Sequence, residues 1–288
     1  MKTEIISTLK CSEYGFLSHP EKPQRIKNSY EFLHSKGEFI FSDIEKLVSE
    51  NDILLAHTKK LYEEVKTGKF YEPDTPAIEN IYDYALLSIN GAITALEHCL
   101  DYKKVTFSLM RPPGHHAKKD SLGGFCYFNN IAIAVKRFLK NNAKKKVSII
   151  DIDCHHGNGT QDIFLGEQNV LFISLHQVPL YPGTGLESEK NCLNFPLPPG
   201  TEEEKYLNTL KIAIDKVKKF APDLIGVSAG FDTYKLDPLT QLNLGKNTYY
   251  KIAELISSLN KPRFAVLEGG YSKDLPECIY NFLLGFSI

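Results

Sequence analysis

The chain has almost no net charge, −1 over 288 residues, and that balance excludes the electrostatic footprint that nucleic acid or an anionic membrane surface would demand. The basic run Lys144-Lys145-Lys146 reads as a solvated helix end ahead of a strand. No apolar stretch reaches the roughly 18 residues of a membrane span. The start, Met1-Lys2-Thr3-Glu4, has neither the basic stretch nor the apolar run of a secretory signal, so a cytoplasmic protein is expected. Six cysteines lie scattered, without zinc-finger or disulfide-scaffold spacing, as free thiols in a reducing compartment do. Cys126 and Cys154 fall inside the motifs described below and read as small apolar fillers rather than nucleophiles. Internal repeats, low-complexity tracts and linkers are absent too. With 42% apolar and 24% charged residues the composition is that of a folded domain, and one domain over residues 1–288 is expected.

What is present is a regular alternation. Short apolar, β-branched runs occur at 105–110, 147–152, 170–175, 223–228 and 264–267. Amphipathic patterns at helical spacing separate them, over 82–100, 129–141, 202–220 and 248–259. Strand alternating with helix predicts an α/β fold, with a mainly parallel central sheet and helices on both faces. Every apolar run leads into a polar or glycine-rich segment: Arg111-Pro112-Pro113-Gly114-His115-His116, 151–160, 176–185, Ala229-Gly230-Phe231-Asp232 and Glu268-Gly269-Gly270-Tyr271. Ligands of such sheets bind beyond the carboxyl ends of the strands, so these five segments are expected to meet at one rim.

The densest of them is Asp151-Ile152-Asp153-Cys154-His155-His156-Gly157-Asn158-Gly159-Thr160. Side chains of an extended chain alternate between faces, so Asp151, Asp153 and His155 are expected to point the same way. Carboxylate oxygen with imidazole nitrogen suits zinc or a similar first-row ion. Asp232 is the candidate third ligand; taken alone it reads equally as a helix N-cap or a turn residue. Three ligands leave a position for water, whose pKa a bound divalent ion lowers to about 7. His115 and His116 are placed for general acid–base work. Asp151 and Asn158 are their natural partners, one holding its ring cationic and the other leaving its ring neutral. Tyr271 can offer a phenol to a developing oxyanion, or pack as a turn lid. The string Gly123-Gly124-Phe125-Cys126-Tyr127-Phe128-Asn129-Asn130 has no Walker lysine and no Rossmann pattern, which argues against phosphate binding. Phe125 and Tyr181 suit the walls of a narrow apolar channel, or the core.

This combination resembles the histone deacetylase superfamily, which includes acetylpolyamine amidohydrolases and acetoin-utilisation-type deacetylases. The resemblance runs from His19-Pro20-Glu21-Lys22-Pro23-Gln24-Arg25-Ile26 to Glu268-Gly269-Gly270-Tyr271. It implies the single-domain arginase/deacetylase fold and hydrolysis of an acyl amide at one zinc, with iron(II) the alternative in the cell. It implies Asp153, His155 and Asp232 as zinc ligands, His115 and His116 as the tandem histidines, and Tyr271 as the transition-state tyrosine. It also implies a substrate channel at Gly124, Phe125 and Tyr181, an acetate-release passage near Arg25, and a structural potassium ion held by Asp151, Asp153, His155, Ser174 and Leu175. The Arg111-Pro112-Pro113-Gly114 lead-in and Asn158 are closer to the class II and bacterial branches.

Two positions bear on substrate. Asp74 matches a rim aspartate that grips substrate backbone amides, or is a plain Asp-Thr-Pro turn. Leu239 stands where a polyamine-selective relative carries a gatekeeper glutamate, and a leucine cannot attract a distal ammonium. The expected substrate is an acylated lysine in a peptide or protein, with a small N-acetylated amine as the alternative. An arginase-like dinuclear enzyme would want a charged group where Asn158 supplies a neutral amide. A silent acyl-lysine binding module would lack part of the acid–base set.

Overall fold

The computed structural model describes residues 2–45 and 47–288. Eight strands form one sheet in the order β2-β1-β3-β8-β7-β4-β5-β6, and every pairing is parallel. The five expected strands are β3 (Thr106–Ser108), β4 (Val147–Asp151), β5 (Val170–Gln177), β7 (Leu224–Ala229) and β8 (Arg263–Leu267). Three more complete the sheet on its flanks: β1 (Glu4–Ile6), β2 (Ile40–Ser42) and β6 (Cys192–Leu197). The first two are too short to show a period, and β6 carries Pro196, which an edge strand tolerates because it has one unpaired side.

The predicted helices are α4 (Ile81–Asp101), α5 (Asn130–Asn141), α7 (Glu203–Phe220) and α8 (Thr248–Ser257). Asn129 caps α5, its side-chain oxygen accepting the Ala132 N–H at 3.0 Å. The structure adds α1 (Gln24–Lys36), α2 (Glu50–Ile53), α3 (Lys59–Thr67), α6 (Asn158–Phe164) and α9 (Leu275–Phe286). Among the described residues no helix is long and apolar enough to cross a membrane.

Strand alternation divides the core into two layers. Ile150, Ile225, Val227, Ala265 and Leu267 pack with α1, α7, α8 and α9 on one face. Val147, Ile149, Leu224, Phe264 and Val266 pack with α3, α4 and α5 on the other. Both faces are thus covered, which a fully parallel sheet needs because its connections run over them.

Register places the site. Asp151 is level with Ser174 on one side and Ser228 on the other, and Ser228 with Val266, which is level with Ser108. These five strands therefore end on the same side of the sheet, β5 running three residues further to Gln177, and the loops that follow share one edge.

Candidate active site

Strand β4 stops at Asp151 and the chain bends, so strict alternation does not extend to Asp153 and His155 as expected. Side-chain-to-backbone turns replace it. The Asp153 N–H donates to Asp151 Oδ1 at 3.0 Å, and the His155 N–H donates to Asp153 Oδ1 at 2.9 Å, the local bonds that aspartate offers a turn. Asp232 lies in a turn after β7, and no helix follows for it to cap. Its Oδ1 accepts the Cys154 N–H at 2.8 Å, locking the two loops together. One donor atom from each of Asp153, His155 and Asp232 falls within 4.8 Å of the others. Gly269 closes the cage: its N–H reaches Asp153 Oδ2 at 2.7 Å. A Cβ there would lie 2.5 Å from that oxygen and 2.7 Å from Asp232 Oδ2, so only glycine fits.

These three residues fit a divalent cation. Asp232 Oδ2 is buried and 2.8 Å from His155 Nδ1, yet it is not aligned for a hydrogen bond and has none among the described residues. Burial, then the neighbouring Asp153, pushes the Asp232 carboxyl up. Asp153 is held well below the carboxylate range: burial opposes ionisation, but His115 and His155 outweigh it. In the protein alone His155 is pushed up to about 10, because Asp153 and Asp232 overcome its desolvation. A proton there occupies the place of a metal ion, and metal binding would release it. Two oxygens and a nitrogen, buried and short of positive charge, make a donor set of the zinc type.

The tandem histidines stand beside the cage with rings 4.0 Å apart. His115 Nδ1 pairs with Asp151 Oδ2 at 3.0 Å, and His116 Nδ1 with Asn158 Oδ1 at 2.7 Å. Their charges diverge. Burial opposes a charge on His115, but Asp153 and Asp151 raise it to about 10. Burial, then the positive His115 and His155, drives His116 well below its ordinary value. Gly124 makes room for the second ring: at φ +57°, its absent Cβ would sit 2.3 Å from His116 Cδ2.

Tyr181, 45% exposed, has its ring 5.0 Å from His116 and 6.4 Å from His155. Half-buried Phe125 lies 5.8 Å from the Tyr271 ring. Both face the site rather than the core. Burial, with Asp153 and Asp232 nearby, keeps the Tyr271 phenol well above its ordinary pKa although Arg25 pulls it down; it is a hydrogen-bond donor at neutral pH. Arg25, on α1, has its guanidinium 4.9 Å from that ring and lines a cavity of about 190 Å³ with Lys22, Asn28, Tyr271 and Leu275.

Other expected residues lie at the edges. Ser174 is level with Asp151 and its hydroxyl contacts His176 Nδ1 at 2.9 Å; Leu175 follows it in β5. Asp74 Oδ1 accepts the Gly124 N–H at 3.0 Å and the Thr75 hydroxyl at 2.7 Å, which fastens the rim to the histidine loop. Leu239 is half-buried, and its N–H donates to Asp237 Oδ1 at 3.0 Å.

Glu268 belongs to the site without having been singled out. Fully buried, it accepts the N–H groups of Gly114 and His115 on Oε2, at 2.7 and 3.2 Å, and the Ser228 hydroxyl on Oε1 at 3.1 Å. Its one signal in the sequence is an acid between an apolar strand and two glycines.

A neutral imidazole and a charged one beside a cage for a divalent cation, at the carboxyl edge of a parallel sheet, define a metal-assisted hydrolase of the α/β class. Residues 19–284 match the family model described as histone deacetylase domain. A probable deacetylase of Archaeoglobus fulgidus is 39% identical over 277 residues, covering 88% of this chain and 77% of the relative. Acetylpolyamine amidohydrolase 1 of Pseudomonas aeruginosa is 37% identical, covering 70% of this chain and 61% of the relative. The crystal structure of the HDA15 HD domain superposes with a TM-score of 0.90 at 28% identity, over 98% of this chain and 87% of that one. The chain belongs to the histone deacetylase family, with the arginase/deacetylase fold and the hydrolytic chemistry of a deacetylase.

Proposed function

We propose that the chain, acting as one catalytic unit over residues 1–288, hydrolyses the amide of an acylated amine carried on a slender methylene chain. Asp153, His155 and Asp232 would hold zinc, or iron(II) in the cell. When bound, that ion supplies Lewis acidity toward the acyl carbonyl and the attacking water. His116 takes the proton from water: with Nδ1–H on Asn158, its other nitrogen keeps a lone pair, and its depressed pKa keeps it neutral. His115, cationic against Asp151, adds positive charge and helps return a proton to the leaving amine as the C–N bond breaks. Tyr271 donates its phenolic hydrogen bond to the oxyanion. Potassium beside Asp151, Asp153, His155, Ser174 and Leu175 would offset the carboxylate excess. The observation that carries this reading is the split of the histidine pair, since hydrolysis needs both a base and an acid.

Two substrate classes share that chemistry. Leu239, apolar where a polyamine-selective relative carries a glutamate, favours acyl-lysine in peptides or proteins, with Asp74 to take backbone amides. The likeness to a relative named for acetylpolyamines favours small N-acetylated amines. The deciding measurement is kcat/KM of zinc- and iron(II)-reconstituted protein on acetyl-lysine peptides and N-acetylated polyamines side by side, with His116→Ala as control. Hydrolysis of one class, at least about 10²-fold faster than by the control, is expected. Failure on both classes with either metal, or full activity in His116→Ala, would remove the proposal.

A further inference from the structure

We infer that Asp237 is the positioning residue that sets the Tyr271 phenol over the cation cage. The inference rests on the reading of Tyr271 as the oxyanion donor. Tyr271 follows two glycines, and Gly270 stands at φ +113°, a backbone that does not fix the next residue by itself. Its position must come from outside. On one side Arg25 donates to the carbonyls of Gly270 and Glu268, at 2.7 and 2.5 Å. On the other, Asp237 Oδ2 accepts the Tyr271 N–H at 2.7 Å.

Asp237 is 7% exposed, and neither of its oxygens forms an ion pair with a lysine or arginine among the described residues. Both are spent on backbone, Oδ1 on the Leu239 N–H and Oδ2 on Tyr271. A buried carboxylate without a cation is costly unless hydrogen-bonded. This one supplies what an amide cannot, two acceptors facing two N–H groups. It also lies in the loop that carries Asp232, where the Thr240 hydroxyl donates to the Asp232 carbonyl. A second tie joins the same two loops, from the Tyr234 hydroxyl to Asp274 Oδ2 at 2.9 Å. The segment that brings a cation ligand therefore also holds the phenol, and the height of Tyr271 above the cage is set from the Asp232 loop.

A double-mutant cycle tests this in the zinc-loaded protein, using the preferred acetylated substrate, with metal content and melting temperature read alongside. Tyr271→Phe should lower kcat by about 10²–10³-fold. Asp237→Asn keeps one acceptor and should lower kcat by about 10- to 100-fold, the cost of a displaced group, with KM and zinc content near those of the parent. Added to Tyr271→Phe, it should cost less than about twofold more, because the phenol it positions is gone. Equal losses in both backgrounds would make Asp237 a fold residue only and overturn the inference. Near-normal turnover in Tyr271→Phe alone would instead remove the phenol from the reaction, and the inference with it. If Asp237→Asn does not fold, Asp237→Glu, with two acceptors on a longer arm, enters the same cycle with the same expectations.

Discussion

Glu21 and Asp232 are both buried carboxylates, 4% and 0% exposed, and their surroundings are opposite. Arg111 meets Glu21 with two parallel hydrogen bonds, Nε to Oε1 at 2.7 Å and a terminal nitrogen to Oε2 at 2.5 Å. Arg25 adds a third at 3.1 Å. The remaining Arg111 donors reach the carbonyls of Cys11, Tyr14 and Glu21, and its plane lies 3.6 Å from the Tyr14 ring centroid. Nothing there is left to bind. Around Asp232, by contrast, Asp151, Asp153 and Glu268 crowd against His115 and His155, and an oxygen stays without a hydrogen bond. Saturated charge fastens the N-terminal loop to the segment after β3; unsaturated charge is stored for a ligand.

The sharpest way to break that contrast is Asp232→Asn. Its amide oxygen can still accept the Cys154 N–H, so the metal-free protein should melt within about 1 kcal/mol of the parent. Divalent-ion binding should be lost, and turnover should fall by at least about 10³-fold. Equilibrium dialysis with zinc, together with a melt of the metal-free variant, checks both halves. A variant that binds zinc normally, or one that unfolds, would show that Asp232 is part of the scaffold.

Arg111→Met probes the other cluster. It leaves Glu21 buried with Arg25 as its remaining cation, and breaking a buried pair in this way costs about 3–5 kcal/mol. Urea unfolding of the metal-free proteins should show it. An unchanged midpoint would mean that the Glu21 cluster does not hold the N-terminal loop.

The two clusters also differ in how well the sequence announces them. Asp151, Asp153 and His155 are two residues apart, His115 and His116 adjacent, and each group follows an apolar run, so local spacing was enough to find them. Asp232 was legible only as an acid after a strand, and the resemblance strengthened its place in the set. Glu21 and Arg111 are 90 residues apart, and Asp237 and Tyr271 are 34 apart. No local pattern joins either pair; the fold does. The four helices with a clear apolar stripe were legible to within about two residues, which is the usual fraying of helix ends. Helix α1 was not, because Gln24–Lys36 buries only Arg25, Ile26, Ser29 and Leu33, and two of those four are polar.

The smallest effect concerns a group outside both clusters and separates them by pH. His57 Nδ1 donates to the Lys118 carbonyl at 2.8 Å, while Nε2 accepts the Asn129 N–H at 2.9 Å, so the ring is held neutral. Burial pulls it down to about 4 although backbone carbonyls favour its charged form. The unfolded chain, with a histidine pKa near 6.5, therefore takes up this proton first. The contribution of His57 to stability is complete above about pH 6.5 and is lost as pH falls toward 4, with a limiting slope of about 1.4 kcal/mol per pH unit. Glu21 is also lowered, but by its partners and against burial: burial opposes ionisation, and Arg111 and Arg25 outweigh it. Its contribution is present above the unfolded carboxyl value, about 4.3, and is lost only below it. Between pH 6.5 and 5, then, the part of the urea midpoint that declines belongs to buried histidines, while Asp232 and Glu268, whose carboxyls burial pushes up to about 7, act in the opposite direction. His57→Gln should flatten that decline by up to one proton's worth, leaving the shares of His116, His156 and His176, which burial also depresses. An unaltered slope in that variant would show that His57 already carries its proton in the folded protein.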